Sequence, residues 1–472
     1  MEAPASAQIS GTTAAEIAGS VRSLVERGEL GAADLLPPVR ALAERLGVNR
    51  NTAVAAYRRL ARDGVVVGQG RAGTRVAGTP DVPQEGFAAA STLAGLSADV
   101  PAGTLRDLGT GNPAPALIPD PAPVLPGVVG RPVLYGEPVI DPGFEAWARG
   151  WMAPDVPGGT RAADGPGSAD AGGDGGAEIA LTLTSGAVDA IERLLTQALT
   201  RDDAVALEDP CFLASIQTVR HAGYRAHPVP VDDEGMTPDG LRAALEAGAR
   251  AVVLTPRAQN PTGASLTEQR AEELRQVLAE HPYVLVIQDD YYSMLSRSPF
   301  RSVVPAEHRR WALIRSVSKF LGPDLCLAVT ATDPETARRL ALRLSPGTTW
   351  VSHLLQRLAH GMLRAEGTRE IIERAGDHYA ERSAEAARRF TAQGVPVTPG
   401  DGMSLWVPVP RPAAQVAADL ARSGWLVRTG DEFRLVPDEP GAAAEDHLRI
   451  TVHDLDDAEL DALAADLAAA CR

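Results

Sequence analysis

From about residue 105 onward the chain alternates short apolar runs with helical periods, and that alternation restricts the fold more than any other feature. Ala204–Leu207, Ala251–Leu254, Val284–Ile287, Ala312–Ser316 and Leu327–Thr330 are bounded apolar runs of strand length. Between them, Val188–Leu199, Thr267–Glu280 and Pro334–Leu344 carry apolar residues at helical spacing. Strand, helix, strand in succession predicts an α/β body, a mostly parallel sheet with helices on both faces. After Pro346 the pattern shifts to long helices and shorter strands around Val395, Leu405, Leu426 and Leu448, closed by a helix at Asp456–Ala469. That tail reads as a smaller C-terminal α+β domain. Open α/β sheets take their ligands at the carboxyl ends of the strands.

One such strand end carries the only lysine in the chain. Of 45 basic residues, 44 are arginine and the other is Lys319, in Arg315-Ser316-Val317-Ser318-Lys319-Phe320-Leu321-Gly322-Pro323. A guanidinium stays charged, whereas a desolvated amine can deprotonate and condense with an aldehyde. Arginine-rich coding could leave one lysine on a solvated surface by chance. Ile314–Val317 reads as a buried strand end and Gly322-Pro323 as a loop, which puts the amine at the sheet's ligand edge and points to a Schiff base.

No apolar run approaches the length of a membrane span, and Met1-Glu2-Ala3-Pro4 lacks the basic start of a secretory signal. Cys211, Cys326 and Cys471 have neither metal-ligand spacing nor an even count, so a reducing cytoplasm is expected and no metal site. The net charge of -16 is unevenly spread: residues 1–78 carry a balance of +3 and the remaining 394 carry -19. Between Pro37 and Val76 there are eight arginines and two acids. A basic module precedes an acidic body.

In that module Ile17, Val21, Leu24 and Val25 give Thr13–Glu29 one buried helical face. Pro37-Pro38 breaks the chain, Val39–Leu46 is a second helix stopped by Gly47, and Asn49 is placed to cap a third from Arg50 to Asp63. Val65-Val66-Val67, a turn through Gly70-Arg71-Ala72-Gly73, and Thr74-Arg75-Val76 complete a hairpin. Three helices and a hairpin make a winged helix-turn-helix. Arg50, Asn51 and Thr52 at the start of the third helix would reach base edges of double-stranded operator DNA, and Arg40, Arg71 and Arg75 would contact phosphates. A helical docking module with a solvated arginine face is the alternative. Leu36-Pro37-Pro38-Val39-Arg40-Ala41-Leu42-Ala43, Gly47-Val48-Asn49-Arg50-Asn51-Thr52 and Arg59-Leu60-Ala61-Arg62-Asp63-Gly64 resemble the GntR-family DNA-binding domain, with Asn49 where that family usually has serine. Residues 79–104 read as a linker, and 155–178, nearly all Gly, Ala, Asp and Pro, as a disordered surface insert without a chemical role.

Four stretches line up with Lys319. Leu183-Thr184-Ser185-Gly186-Ala187 leads from a strand into a helix and can cradle a phosphate. Glu208-Asp209-Pro210-Cys211-Phe212 puts an aromatic at a strand end, Gln259-Asn260-Pro261-Thr262-Gly263 fixes an amide there, and Asp289-Asp290-Tyr291-Tyr292 places two acids after a buried strand. In this order, followed by Ser-x-Ser-Lys, they resemble the fold-type I aminotransferases over Leu105 to Arg472. The resemblance implies pyridoxal 5'-phosphate held as an internal aldimine on Lys319, with Asp289 at the pyridinium nitrogen, Asn260 and Tyr291 or Tyr292 at the phenolic oxygen, and Phe212 stacked on the ring. Ser185, Gly186, Ala187, Ser316 and Ser318 would hold the phosphate. The family's arginine seven or eight residues after the lysine is replaced by Cys326 and Leu327. Arg449, in His447-Leu448-Arg449-Ile450-Thr451, resembles the arginine that binds a substrate carboxylate. Tyr135, in Leu134-Tyr135-Gly136-Glu137-Pro138, resembles a residue that reaches the cofactor of a partner subunit.

A GntR-type winged helix (1–78), the linker, a large aminotransferase-like domain (105–345) and a small domain (346–472) together resemble the MocR-type transcriptional regulators. Trp350-Val351-Ser352-His353-Leu354-Leu355-Gln356 and Gly322-Pro323-Asp324-Leu325 look most like the branch that senses pyridoxal phosphate in vitamin B6 salvage. The resemblance implies a cytoplasmic homodimer that binds operator DNA and responds to pyridoxal phosphate, or to an amine that reacts with it. The rival expectation is a working aminotransferase that carries a DNA-binding domain.

Overall fold

The computed structural model describes residues 8–32, 34–62, 65–68, 73–76, 105–159, 179–344, 350–435 and 446–472. Two compact units divide the chain, Met1–Val82 and Pro83–Arg472.

In the first unit, α1 (Ala14–Glu26) starts in a capping box: Thr13 Oγ1 accepts from Glu16 N–H and Glu16 Oε2 accepts from Thr13 N–H, both at 3.2 Å. Ile17, Ala18, Val21 and Leu24 are buried, while Val25 is only half-buried. α2 (Val39–Leu46) stops at Gly47, φ +64°, a left-handed cap that glycine adopts without strain. α3 (Arg50–Arg62) begins where Asn51 N–H donates to Asn49 Oδ1 at 2.8 Å, so Asn49 does cap it. β1 (Val66–Gly68) and β2 (Thr74–Val76) pair antiparallel, with Val66 opposite Val76. Leu42, Ala53, Ala56 and Leu60 join α1 in one core, and Tyr57 Oη donates to Pro37 O at 2.6 Å, tying α3 to the proline break. The hairpin turn with Arg71 and the linker lie outside the described residues.

The second unit contains α4 (Pro142–Met152), β3 (Ala180–Thr184), α5 (Ala187–Ala198), β4 (Ala204–Asp209), α6 (Leu213–His221), β5 (Arg225–Asp232), β6 (Gly235–Met236) and β7 (Ala249–Leu254). α7 (Glu268–Ala279), β8 (Leu285–Asp289), β9 (Trp311–Ser316), the single turn α8 (Ser318–Leu321) and β10 (Ala328–Thr332) follow. The sheet order is β3-β10-β9-β8-β7-β4-β5-β6. The strands from β9 to β5 are parallel, and β10 runs antiparallel to both of its neighbours. Every residue of β8 and β9 is buried, as expected for a sheet covered on both faces, and their polar residues gather at the carboxyl ends. The apolar-run criterion passed over β5 because only Val229 of that strand is buried.

The C-terminal part holds α9 (His353–Arg364), α10 (Thr368–Ala392), β11 (Ser404–Val409), β12 (Arg428–Thr429), β13 (Asp446–Thr451) and α11 (Asp457–Ala470), with an antiparallel sheet β11-β13-β12. Packing does not respect a cut between residues 345 and 346. Ala359 and Met362 of α9 and Ile372, Ala375 and Tyr379 of α10 belong to the large core, whereas Ala386, Ala387 and Phe390 further along α10 join Leu405, Val407, Leu448 and Ile450 in the small one. α10 is a beam shared by both cores. Leu108 also lies in the small core, and Arg106–Asp107 pairs with Trp425–Leu426. Val395, expected in a strand, is buried there in irregular chain. Among the described residues no helix is long and apolar enough to cross a membrane.

Candidate functional site

β9 delivers Lys319 through the single helical turn Ser318–Leu321, and the loop expected at Gly322-Pro323 follows it. Phe320 and Leu321 anchor that turn in the core, and the half-buried Lys319 side chain enters a small cleft. Gly111, Asn260, Tyr291, Asp401, Ser404 and Arg449 line the same cleft. Lys319 Nζ donates to Gly111 O at 2.8 Å. Gly111, Asp401 and Ser404 were not foreseen from the sequence; Gly109-Thr110-Gly111-Asn112-Pro113, a turn-rich run near the start of the body, was the available signal for the first.

Asn260 stands on a turn built by its neighbour. Gln259 Nε2 donates to Pro210 O at 2.8 Å, and its Oε1 accepts from Thr262 N–H at 3.1 Å and Thr262 Oγ1 at 2.7 Å. Gly263, φ +75°, lets the small-domain loop approach: a Cβ there would stand 2.8 Å from Asp401 O. Asp401 N–H donates to Gly263 O at 2.8 Å, and its carboxylate accepts from Ser296 Oγ and from Ser298 N–H. The loop is thereby fastened to the large domain beside the cleft. Tyr291 Oη donates to Ala258 O at 2.8 Å and faces the cleft, whereas Tyr292 is 1% exposed and belongs to the large core. Of the two tyrosines left open by the sequence, Tyr291 lines this cleft and Tyr292 does not.

Asp289 and Asp290 end β8 in opposite circumstances. Asp290 accepts from Arg257 Nε at 2.7 Å, Arg257 Nη2 at 2.9 Å and Arg315 Nε at 2.8 Å. Burial alone would raise its pKa, but the two guanidiniums outweigh burial and hold it below the usual carboxylate range. Arg315 also donates to Trp151 O at 2.6 Å and to Asp155 Oδ2 at 2.5 Å, and it lies 5.1 Å from the Phe300 ring centre. Asp155, assigned by the sequence reading to an insert without a chemical role, is therefore one wall of this network; residues 160–178 lie outside the described residues. Asp289 has a buried Oδ1 without a hydrogen-bond partner, and burial, then the Asp290 charge, pushes its pKa up to about 7. Glu208, at the end of β4, has a similarly orphaned Oε1 and is pushed up to about 8 by burial.

The Ser185–Ala187 turn is the opposite kind of place. Gly186, φ +87°, caps α5, and a Cβ on it would stand 3.0 Å from Cys326 Sγ. Cys326 is exposed, and its thiol donates to Ser185 O at 3.4 Å. Partial burial of the sulfur and the nearby Asp189 carboxylate both raise its pKa, so the thiol is uncharged. Ser318 N–H donates to Ser316 Oγ at 3.2 Å, and Ser318 Oγ donates to Leu325 O at 3.3 Å.

Arg449, 2% exposed on β13, donates from Nε to Ser404 Oγ at 3.3 Å and lies 5.4 Å from the Phe433 ring centre. Phe212 is half-buried at the start of α6 and does not line the cleft. Tyr135 is 91% exposed, its ring 5.3 Å from that of Trp350. Its loop is braced from α9, where His353 Nε2 donates to Pro138 O at 3.0 Å and Gln356 Oε1 accepts from Asp141 N–H at 2.7 Å. In the first unit Arg40, Arg50 and Asn51 are exposed, and Thr52 and Arg75 are half-buried.

Residues 175–467 match the family of class I and II aminotransferases, and residues 13–76 match the gntR family of bacterial regulatory proteins. The chain is 43% identical to the vitamin B6 salvage pathway transcriptional repressor PtsJ of Salmonella typhimurium, over 97% of this chain and 98% of that one. To the 2-aminoadipate transaminase of Thermus thermophilus it is 29% identical, over 58% of this chain and 70% of that one. Among solved structures, Thermus thermophilus LysN, an alpha-aminoadipate aminotransferase complexed with N-(5'-phosphopyridoxyl)-L-leucine, superposes with a TM-score of 0.63 at 23% identity, over 80% of this chain and 94% of that one. Pyrococcus horikoshii kynurenine aminotransferase gives 0.65 at 18% identity, over 78% and 91%. At these identities the two structures speak for the fold alone.

Proposed function

The chain belongs to the MocR-type regulators, a gntR-family domain joined to an aminotransferase class I and II domain, and from that premise we propose that it is a DNA-binding transcriptional regulator of vitamin B6 metabolism whose body senses pyridoxal phosphate through Lys319. The observation that carries this reading is the pairing of an amine, Lys319, in a small cleft with a buried carboxylate oxygen, Asp289 Oδ1, that has no partner at the end of the adjacent strand. An orphaned buried acceptor calls for a donor. Pyridoxal phosphate fits these residues, supplying an aldehyde that condenses with an amine and a ring nitrogen that takes a proton.

In this reading the Lys319 amine, which now donates to Gly111 O, would hold the group by condensing with its aldehyde with loss of water, and Asp289 would accept from the protonated ring nitrogen. Asn260 and Tyr291 orient the ring, and Ser185, Gly186, Ala187, Ser316 and Ser318 bind the phosphate. Arg449 orients the carboxylate of a reacting amine. The protein acts as a cytoplasmic homodimer in which Tyr135 of each subunit serves the other's cleft. Residues 1–78 bind the operator: Arg50, Asn51 and Thr52 read bases, while Arg40, Arg71 and Arg75 hold phosphates. For the effector to alter transcription it must bind two dimer states unequally.

The deciding experiment is a DNA-shift titration on the region upstream of the protein's own gene, with and without pyridoxal phosphate, for wild type and Lys319→Ala. We expect the cofactor to change the half-saturation point of wild type by about tenfold, a coupling of ordinary size, and to leave Lys319→Ala unmoved. The same response from both proteins would sink the reading. The enzymatic alternative draws on Arg449, which lines the same cleft as Lys319. Sustained turnover of amino acids and keto acids, with DNA affinity indifferent to the cofactor, would favour it instead.

A further inference from the structure

We propose that Asp189 is an affinity-setting residue: with Cys326 it weakens the grip on the phosphate group, so that the body takes up and releases a phosphorylated aldehyde readily. This deepens the function proposed above and rests on it.

α5 presents its amino end to the Ser185–Ala187 turn, where backbone N–H groups and the helix dipole favour an anion. The chain puts an anion of its own there. Asp189 Oδ2 accepts the Ser185 N–H at 3.0 Å, engaging one of the donors that a phosphate would use. On the other side of the turn stands Cys326, whose thiol donates to Ser185 O at 3.4 Å; a guanidinium in its place could add a bidentate clamp. An incoming phosphate, nearly doubly charged, meets a carboxylate and a neutral thiol. Arg193 offsets part of the carboxylate's charge through Nε to Asp189 Oδ1 at 2.6 Å, with the pair about a quarter exposed. The net effect is a site that favours the aldehyde and ring over the phosphate. Occupancy then follows the free concentration of the phosphorylated form, which a sensor needs and a resident-cofactor enzyme does not.

A structural role for Asp189, as a brace for the first turn of α5, makes a different prediction. A brace affects every ligand alike, whereas a charge affects only the charged one. The test titrates the full-length protein with pyridoxal phosphate and with pyridoxal, following the visible band of the lysine-bound form. Asp189→Asn keeps an acceptor for Ser185 N–H and removes the charge; it should bind pyridoxal phosphate on the order of tenfold more tightly. Cys326→Arg should tighten it by about as much, and Arg193→Ala should loosen it. Pyridoxal affinity should stay unchanged in all three. Unchanged affinity for pyridoxal phosphate in both Asp189→Asn and Cys326→Arg overturns the proposal, as does an equal shift for pyridoxal. A wild-type protein with no Lys319-dependent band overturns the reading of the cleft itself, a result distinguishable from either of these.

Discussion

The carboxyl end of β8 and the Ser185–Ala187 turn would serve opposite ends of one ligand, and they are made differently. At β8 the acid Asp290 is 0% exposed, bound by Arg257 and Arg315, and cross-linked through Arg315 to Trp151 and Asp155. At the turn, Ser185 and Cys326 are exposed, and the nearest ionic contact is the partly solvated pair of Asp189 and Arg193. Buried charges must be fully paired to persist, whereas exposed ones contribute little and exchange readily. The difference teaches where this body is rigid: the strand end that carries Asp289 is anchored through its neighbour Asp290, and the seat for a phosphate is lightly built.

The largest effect should come from breaking the rigid end. Arg315→Met leaves Asp290 one guanidinium short in a dry site and should lower stability by about 3–5 kcal/mol, read from urea unfolding of the cofactor-free protein. A cost below about 1 kcal/mol, the level of a surface pair, would erase the contrast.

Next comes the pH response. Asp289 is raised from 3.8 to about 7 in the folded chain and Glu208 from 4.5 to about 8. Between about pH 4 and the folded values the native state holds protons that the unfolded chain has released, so stability falls as pH rises through that window. The thermal midpoint of the cofactor-free protein should therefore drop from pH 5 to pH 8. Asp289→Asn should roughly halve the slope between about pH 4 and pH 7 and leave the part due to Glu208, which continues to about pH 8. A midpoint that is flat or rises in wild type would contradict the account of the buried acids. Asp290 works in the other direction: its folded pKa is depressed, so the stability it lends is present at neutral pH and is lost on acidification below about 4.

Much of this was legible in the sequence, for identifiable reasons. Strands β4, β7, β8 and β9 are buried on both faces and so read as continuous apolar runs, and the motifs at their ends are short, local and rigidly attached to them. Lys319 announced itself by composition. What stayed hidden depends on contacts between residues far apart in the chain. Tyr291 and Tyr292 are adjacent and chemically identical, and only packing sends one to the cleft and the other to the core. Asp155 looked like part of a featureless insert because its partner, Arg315, lies 160 residues away. Arg257 carried no motif at all. The sharing of α10 between two cores was equally invisible, since one amphipathic helix can serve two neighbours in turn without a break in its pattern.

At the lightly built end the expected effects are smaller. Gly186→Ala forces a Cβ into a left-handed backbone and to 3.0 Å from Cys326 Sγ. It should cost about 1–2 kcal/mol and weaken uptake of pyridoxal phosphate more than that of pyridoxal. Equal stability to wild type would mean that the turn relaxes without loss and that its geometry is not needed.

The smallest effect belongs to Cys326→Ser. The side chain is exposed, the replacement is nearly the same size, and a hydroxyl can still donate to Ser185 O, so stability should move by less than about 0.5 kcal/mol. No charge is gained or lost, so the affinity for pyridoxal phosphate should stay close to that of wild type, far from the gain expected of Cys326→Arg. The two substitutions at one position separate charge from every other property of the residue. If serine tightened binding as much as arginine, the thiol itself would be the obstacle at the turn, and the contrast between a charged, cross-linked ring end and an undercharged phosphate end would need to be redrawn in terms of shape.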